Sequence, residues 1–257
     1  MSAPVTLEVT DGLARITLDR PERLNAFDAA AAHAWASVAT EAVSRDDVGA
    51  VLIGGTGPAF CAGGDVRAMA ELDSAADVTH LAHVIHSGIL ALTSSSLPVV
   101  VAAHGTTAGG GLGILLTGDY AVAGAGSRIG SLYASMGLTP DLSVSAQLAR
   151  AVGERRALQL VLQERLLDAH EALAWGLVAE VVPDDEVAVR AEQVARSWLA
   201  GATRAYGQAK RLVRDAAART FAAQLDEEAR SIGAAYDTPE ARERVAAFVA
   251  RSGTAGR

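Results

Sequence analysis

A single cysteine, Cys61, in 257 residues excludes an internal disulfide and a cysteine-based metal site within one chain. Long apolar runs are equally missing: no uninterrupted stretch approaches the ~20 residues that cross a bilayer. Positive charge is in short supply, with 22 Lys and Arg against 30 Asp and Glu and a net charge of -8. That balance argues against broad nucleic-acid binding, so any phosphate recognition has to be local. The stretch Met1-Ser2-Ala3-Pro4 lacks the basic and then apolar pattern of an export signal, which points to a cytoplasmic protein with no membrane partner. What remains is ordinary globular usage, 50% apolar and 20% charged, at a length that fits one mixed α/β unit or a core with a helical appendage.

Along the chain, Val5, Leu7 and Val9 alternate with polar residues, Asp11-Gly12 supplies a turn, and Ala14, Ile16 and Leu18 alternate again. This pattern predicts a β-hairpin. After Arg20-Pro21, Asp28 is placed to cap an alanine-rich helix reaching about Ser44. A buried strand over 50–53 runs into a glycine loop ending Ala62-Gly63-Gly64, and Asp65 is placed to cap a following helix. A longer helix is predicted from about Val78 to Leu92. A second buried strand over 99–103 then runs into Gly109-Gly110-Gly111 and an apolar helix through Leu116. Short strands are expected near 120–123 and 128–129. From Asp141 onward almost everything reads as helix, including 142–152, 154–163, 168–175, 186–199, 204–217 and 239–249. Repetition of the strand, glycine loop, helix unit predicts stacked β-strands with helices outside and a C-terminal helical layer.

A glycine loop between a strand and a helix exposes backbone N–H groups, and the first helical turn adds unpaired donors with a favourable dipole. Two such loops converging on one oxygen have the geometry to hold a thioester carbonyl as it becomes an enolate. Either loop alone reads as no more than a tight turn. Neither fits G-x-x-x-x-G-K-[ST], and Gly124, Gly126 and Gly130 lack G-x-G-x-x-G spacing, so nucleotide and dinucleotide readings lose support.

Phe60-Cys61-Ala62-Gly63-Gly64-Asp65, Pro98 to Gly105 and Gly109-Gly110-Gly111, in this order and spacing, resemble the crotonase (enoyl-CoA hydratase/isomerase) superfamily. The resemblance takes in Arg20-Pro21 through Asn25-Ala26, Ala172 to Val178 with Val181-Val182-Pro183, and Ala247-Phe248-Val249. It implies an α/β spiral of ββα units over 1–195 and a helical trimerisation region over 196–257. It also implies homotrimers or homohexamers, acyl-CoA substrates and no permanently bound cofactor, coenzyme A arriving as part of the thioester. By the same resemblance the amides of Gly64 and Gly110 form an oxyanion hole. Arg23, Leu24, Ala26 and Ala62 lie toward coenzyme A, with Phe248 and Arg251 approaching it from the C-terminal helix of a neighbouring subunit. Apart from the resemblance, Phe248 reads equally well as a core residue and Arg251 as a solvated charge.

Hydratases of this family use two glutamates, and the matching positions here are Gly113 and Tyr133. Both carboxylates are missing from the pocket. Met136 to Asp141 resembles the isomerase segment in which an acid overlies the acyl group, and Asp141 matches that acid; Pro140-Asp141 before a helix is also how a plain N-cap looks. One carboxylate suffices to shift a double bond from 3-enoyl- to 2-enoyl-CoA. The alternatives are a hydratase-like lyase using another acid and a non-catalytic acyl-CoA-binding protein. His80, His83 and His86 recur every three residues, but that spacing drifts around a helix, and they read as polar-face residues with no metal site. Cys61 reads as packing, since no adjacent histidine activates it. Glu71, on the helix after the first loop, is a reserve acid.

Overall fold

The computed structural model describes residues 3–254. The chain opens with the expected hairpin, β1 (Val5–Thr10) and β2 (Leu13–Leu18), paired from Val5 opposite Leu18 to Thr10 opposite Leu13. Asp11 and Gly12 take φ of 49° and 79°, the two left-handed residues of a tight turn whose twist suits the strands. The other elements of the first half are α1 (Ala29–Ser44), β3 (Ala50–Gly55), α2 (Val66–Met69), α3 (Ala75–Ser94), β4 (Val99–Ala103), β5 (Thr106–Ala108), α4 (Gly110–Thr117), β6 (Tyr120–Gly124) and β7 (Arg128–Gly130). Then come α5 (Val144–Val152), α6 (Glu154–Val161), β8 (Leu167–Asp168), α7 (Ala169–Trp175), β9 (Glu180–Val182), α8 (Val187–Leu199), α9 (Thr203–Asp215), α10 (Phe221–Tyr236) and α11 (Pro239–Thr254).

Six strands form one sheet in the order β1-β2-β3-β4-β6-β9, parallel from β2 onward, and β5-β7-β8 form a second. The apolar strands are buried on both faces, as parallel strands covered by helices should be. Val51 and Ile53 of β3, with Val99, Val101 and Ala103 of β4, pack into the core that includes Trp35 of α1 and Ile85 of α3. Leu52, Val100 and Ala102 point the other way, onto Val187, Ala191 and Val194 of α8. Period-two alternation thus sorts a continuous apolar run between two helical layers. Each fully buried aliphatic side chain contributes about 1.5–3 kcal/mol.

The caps follow the sequence: Asp28 accepts from the Ala31 amide at 2.8 Å, and Asp65 accepts from Arg67 and Ala68. Three local expectations are corrected. The helix after the first glycine loop is a single turn ending at Met69, so Glu71 lies beyond it rather than on it. The stretch beyond Asp141 contains two short strands, β8 and β9, formed because β7 and β6 leave open edges for them. β5, inside the presumed second loop, pairs with β7. The C-terminal layer stacks α9 on α3 and α8, α10 on α9, and α11 on α10, leaving Phe221, Ile232 and Phe248 exposed. No described helix is long and apolar enough to cross a membrane.

Candidate active site

The first loop is zipped to residues 20–27. Buried Asn25 donates to the carbonyls of Thr56 and Ala59 at 2.9 and 2.8 Å and accepts from the Arg20 amide at 2.8 Å. Ala62 N donates to Leu24 O, Phe27 N to Gly63 O, and Asp65 N to Phe27 O. The Arg20 guanidinium closes the strap with Asp28 at 2.7 Å and Asp65 at 3.3 Å. Leu24 and Asn25 both adopt positive φ, 50° and 56°, a strained pair held by these bonds. The strap sets Ala26, which is buried, and Arg23 and Leu24, which are exposed, beside Ala62.

The second loop lies directly against the first. A Cβ on Gly63 would sit 2.9 Å from Ala108 O and 3.1 Å from Gly110 N, so only main chain fits between them. Gly63 has φ 109° and Gly109 φ 51°, conformations that glycine adopts without penalty. Gly110 is the first residue of α4, and neither its N–H nor that of Gly64 has a protein acceptor among the described residues. The eight residues of α4 are all buried, so its dipole reaches Gly110 through low-dielectric surroundings.

The segment around Asp141 reaches α4 through Leu142. The Tyr133 hydroxyl donates to Asp141 Oδ1 at 2.5 Å. Burial first, and then the adjacent carboxylate, push the Tyr133 hydroxyl far above its ordinary pKa, so it stays a protonated donor. Leu142 and Ser143 follow with φ of 47° and 66°, two successive left-handed residues without glycine. The Leu142 amide donates to His86 Nε2 at 3.1 Å. Leu142 also occupies the space over α4: a Cβ on Gly113 would meet Leu142 O at 2.3 Å, and one on Gly110 would meet Leu142 Cδ1 at 2.8 Å. A carboxylate side chain at 113 has no room.

His86 is therefore not a polar-face bystander. It lies 56 residues from Leu142 in sequence, and no local pattern signals that pairing. His83 packs edge-on to His86 with ring centroids 6.0 Å apart, and no group of three or more His, Cys, Asp or Glu suited to a metal exists among the described residues. The Cys61 thiol donates to Asn25 O at 3.2 Å, and burial raises its pKa to about 12, so it is inert packing at neutral pH. Glu71 is exposed in the turn beyond α2. Phe248 and Arg251 are exposed on α11, which packs on α10. A groove of about 730 Å³ between α9, α10 and α11 lies apart from the glycine loops and has none of their residues in its walls.

Residues 8–254 match the family model described as enoyl-CoA hydratase/isomerase. The chain belongs to this family. A probable enoyl-CoA hydratase of Mycobacterium bovis is 33% identical over 238 residues, covering 91% of this chain and 90% of that protein. A 1,2-epoxyphenylacetyl-CoA isomerase of Escherichia coli is 32% identical, covering 95% and 94%. Among solved structures, a putative enoyl-CoA hydratase/isomerase from Mycobacterium abscessus superposes with a TM-score of 0.92 at 32% identity over 96% of both chains. The crotonase-type spiral is thus this chain's fold, and the chain is an enoyl-CoA hydratase/isomerase-type enzyme acting on acyl-CoA thioesters.

Proposed function

We propose that the chain isomerises 3-enoyl-CoA to 2-enoyl-CoA through a thioester dienolate. The amides of Gly64 and Gly110 hold the thioester oxygen, and Asp141 carries the proton. Its carboxylate removes a proton from C2, the electron pair moves through the carbonyl onto oxygen, and the same proton returns at C4 as the double bond shifts. Hydrogen bonds that strengthen as negative charge develops on oxygen supply the acceleration. The observation that carries this reading is the packing of Leu142 main chain against Gly113, beside a tyrosine that stays protonated. Of the three acid positions in the family, Asp141 alone bears a carboxylate, and the Tyr133 hydroxyl orients it.

Arg23, Leu24, Ala26 and Ala62 then lie along coenzyme A, which enters as part of the substrate, with no permanent cofactor. Phe248 and Arg251 reach it from a neighbouring copy, residues 196–257 serving assembly and 1–195 the spiral core. The exposed apolar side chains of α10 and α11 support self-association, and light scattering at micromolar concentration should give a trimer or hexamer; a monomer rejects it. A cytoplasmic setting fits the single, reduced cysteine.

The second reading is a hydratase, favoured by the name of the mycobacterial relative. Turnover on 3-enoyl-CoA and hydration of crotonyl-CoA, measured side by side, separate the two. Isomerisation should be the faster, and Asp141→Asn should lower it on the order of 10²–10⁴-fold with coenzyme A binding unchanged. Robust hydration that survives Asp141→Asn rejects the mechanism, and no turnover on any enoyl-CoA leaves a binding protein.

A further inference from the structure

We infer that Arg214, on α9, is a positioning residue that fixes the Asp141 segment relative to the Gly110 amide. The inference rests on the site proposed above and adds to it a residue remote in sequence from both halves. Arg214 uses its whole guanidinium fork. Nε and Nη2 donate to Asp119 Oδ1 at 3.1 and 2.8 Å, and Nη2 donates to the carbonyls of Thr117 and Gly118 at 3.1 and 2.9 Å. Nη1 donates to Gln147 Oε1.

Each contact leads to one half of the site. Thr117 ends α4, the helix that begins at Gly110, and the Thr117 hydroxyl donates to Gly113 O at 3.0 Å. A cation on the last carbonyls of a short buried helix satisfies acceptors that have no intrahelical partner and complements the dipole. Gln147 leads the other way. Its Nε2 donates to Ser143 Oγ at 2.9 Å, and Ser143 is the second of the two left-handed residues that follow Asp141. Backbone held in that region persists only where its surroundings over-determine it. The clamp is itself anchored, since Lys210 of α9 bonds Asp119 Oδ2 at 3.1 Å and the carbonyls of Leu92 and Leu97 at 2.8 and 2.6 Å.

A planar five-donor group holds four separate acceptors at once, and lysine cannot reproduce that fork. Loss of the clamp should therefore change the register of acid and oxyanion amide without touching substrate. Small displacements of this kind act on turnover rather than on binding.

The test uses the full chain and four variants. Arg214→Met should lower kcat for 3-enoyl-CoA isomerisation on the order of a hundredfold, with KM within about twofold because no substrate contact is removed. Gln147→Leu cuts only the branch to Ser143 and should lower kcat about tenfold, the scale of one hydrogen bond. The double variant should be no slower than Arg214→Met, because both act through one route. Arg211→Met, on the same helix but paired with Glu227 and Ser231, should leave kcat unchanged. Hydrogen exchange read by mass spectrometry is independent of the reaction: peptides over 109–118 and 138–147 should exchange about tenfold faster in Arg214→Met, with 1–20 unaffected. Equal kcat losses in Arg211→Met and Arg214→Met, or exchange that rises uniformly along the chain, overturn the inference. If wild type does not isomerise 3-enoyl-CoA, the proposed reaction fails, and the exchange comparison still decides whether Arg214 orders both segments.

Discussion

The two glycine loops look alike in sequence and differ in almost every physical respect. The first ends at exposed Gly64 and leads into the single turn of α2, whose leading amides are taken by the Asp65 carboxylate. The second ends at buried Gly110 and leads into α4, which is buried throughout. The first is held by main-chain bonds to Leu24 and Phe27 and, around them, by a network of side chains, Asn25, Arg20 and Asp65. The second is held by main chain, with Ala108 N bonded to Cys61 O and Gly109 N to Gly130 O. A glycine turn between strand and helix can thus be anchored largely by side chains or by close-packed backbone, and the two versions should fail differently.

The largest effect is expected at Gly111→Ala. A Cβ there would lie 2.1 Å from Cys61 O and 2.8 Å from its carbonyl carbon, backbone that cannot step aside. Overpacking of this kind should cost on the order of 3 kcal/mol or more, visible as a lowered Tm or as insoluble protein. Next is the paired comparison of Gly110→Ala with Gly64→Ala. At 110 the new methyl meets Cδ1 of Leu142 at 2.8 Å, a buried side chain next to Asp141 with little room to turn away, so kcat should fall about tenfold. At 64 it meets only the flexible Met69 Sδ at 3.2 Å, and kcat should stay within about twofold. Equal losses at both positions would erase the distinction between the loops.

The smallest effect is set by pH. Burial raises the Asp65 carboxyl, but the amides of Ala68 and Arg67 and the Arg20 guanidinium outweigh it and hold the group below its ordinary value. A depressed carboxylate stabilises the fold above its unfolded value, about 3.9, and that contribution is lost as pH falls through the folded value. Asp65→Asn should therefore unfold about 2–4 °C below wild type near neutrality, with the gap closing below pH 4 in thermal melts. A constant gap at all pH values would remove the carboxylate from the argument.

How much of this was legible depended on the range of the interaction. Asp28 and Asp65 were readable as caps because an N-cap acts within three residues. β3 and β4 were readable because continuous apolar runs between breakers are buried strands. The short strands β8 and β9 were not, because two or three residues carry no period and depend on the partners β7 and β6. His86 was misjudged for the same reason: its partner is an amide 56 residues away. Gly113 was legible as a missing acid, but not the Leu142 main chain filling its place.

The sequence by itself determined the repeated strand, glycine loop, helix unit, the family, and the presence of a carboxylate at Asp141 with none at Gly113 or Tyr133, because these are properties of residue type and spacing. Only the tertiary structure decided that the two loops touch at Gly63 and Gly110, that Tyr133 donates to Asp141, and that α9 grips the end of α4 through Arg214. Those contacts join segments far apart in the chain, and their geometry is fixed by the packing of the whole spiral rather than by any local preference.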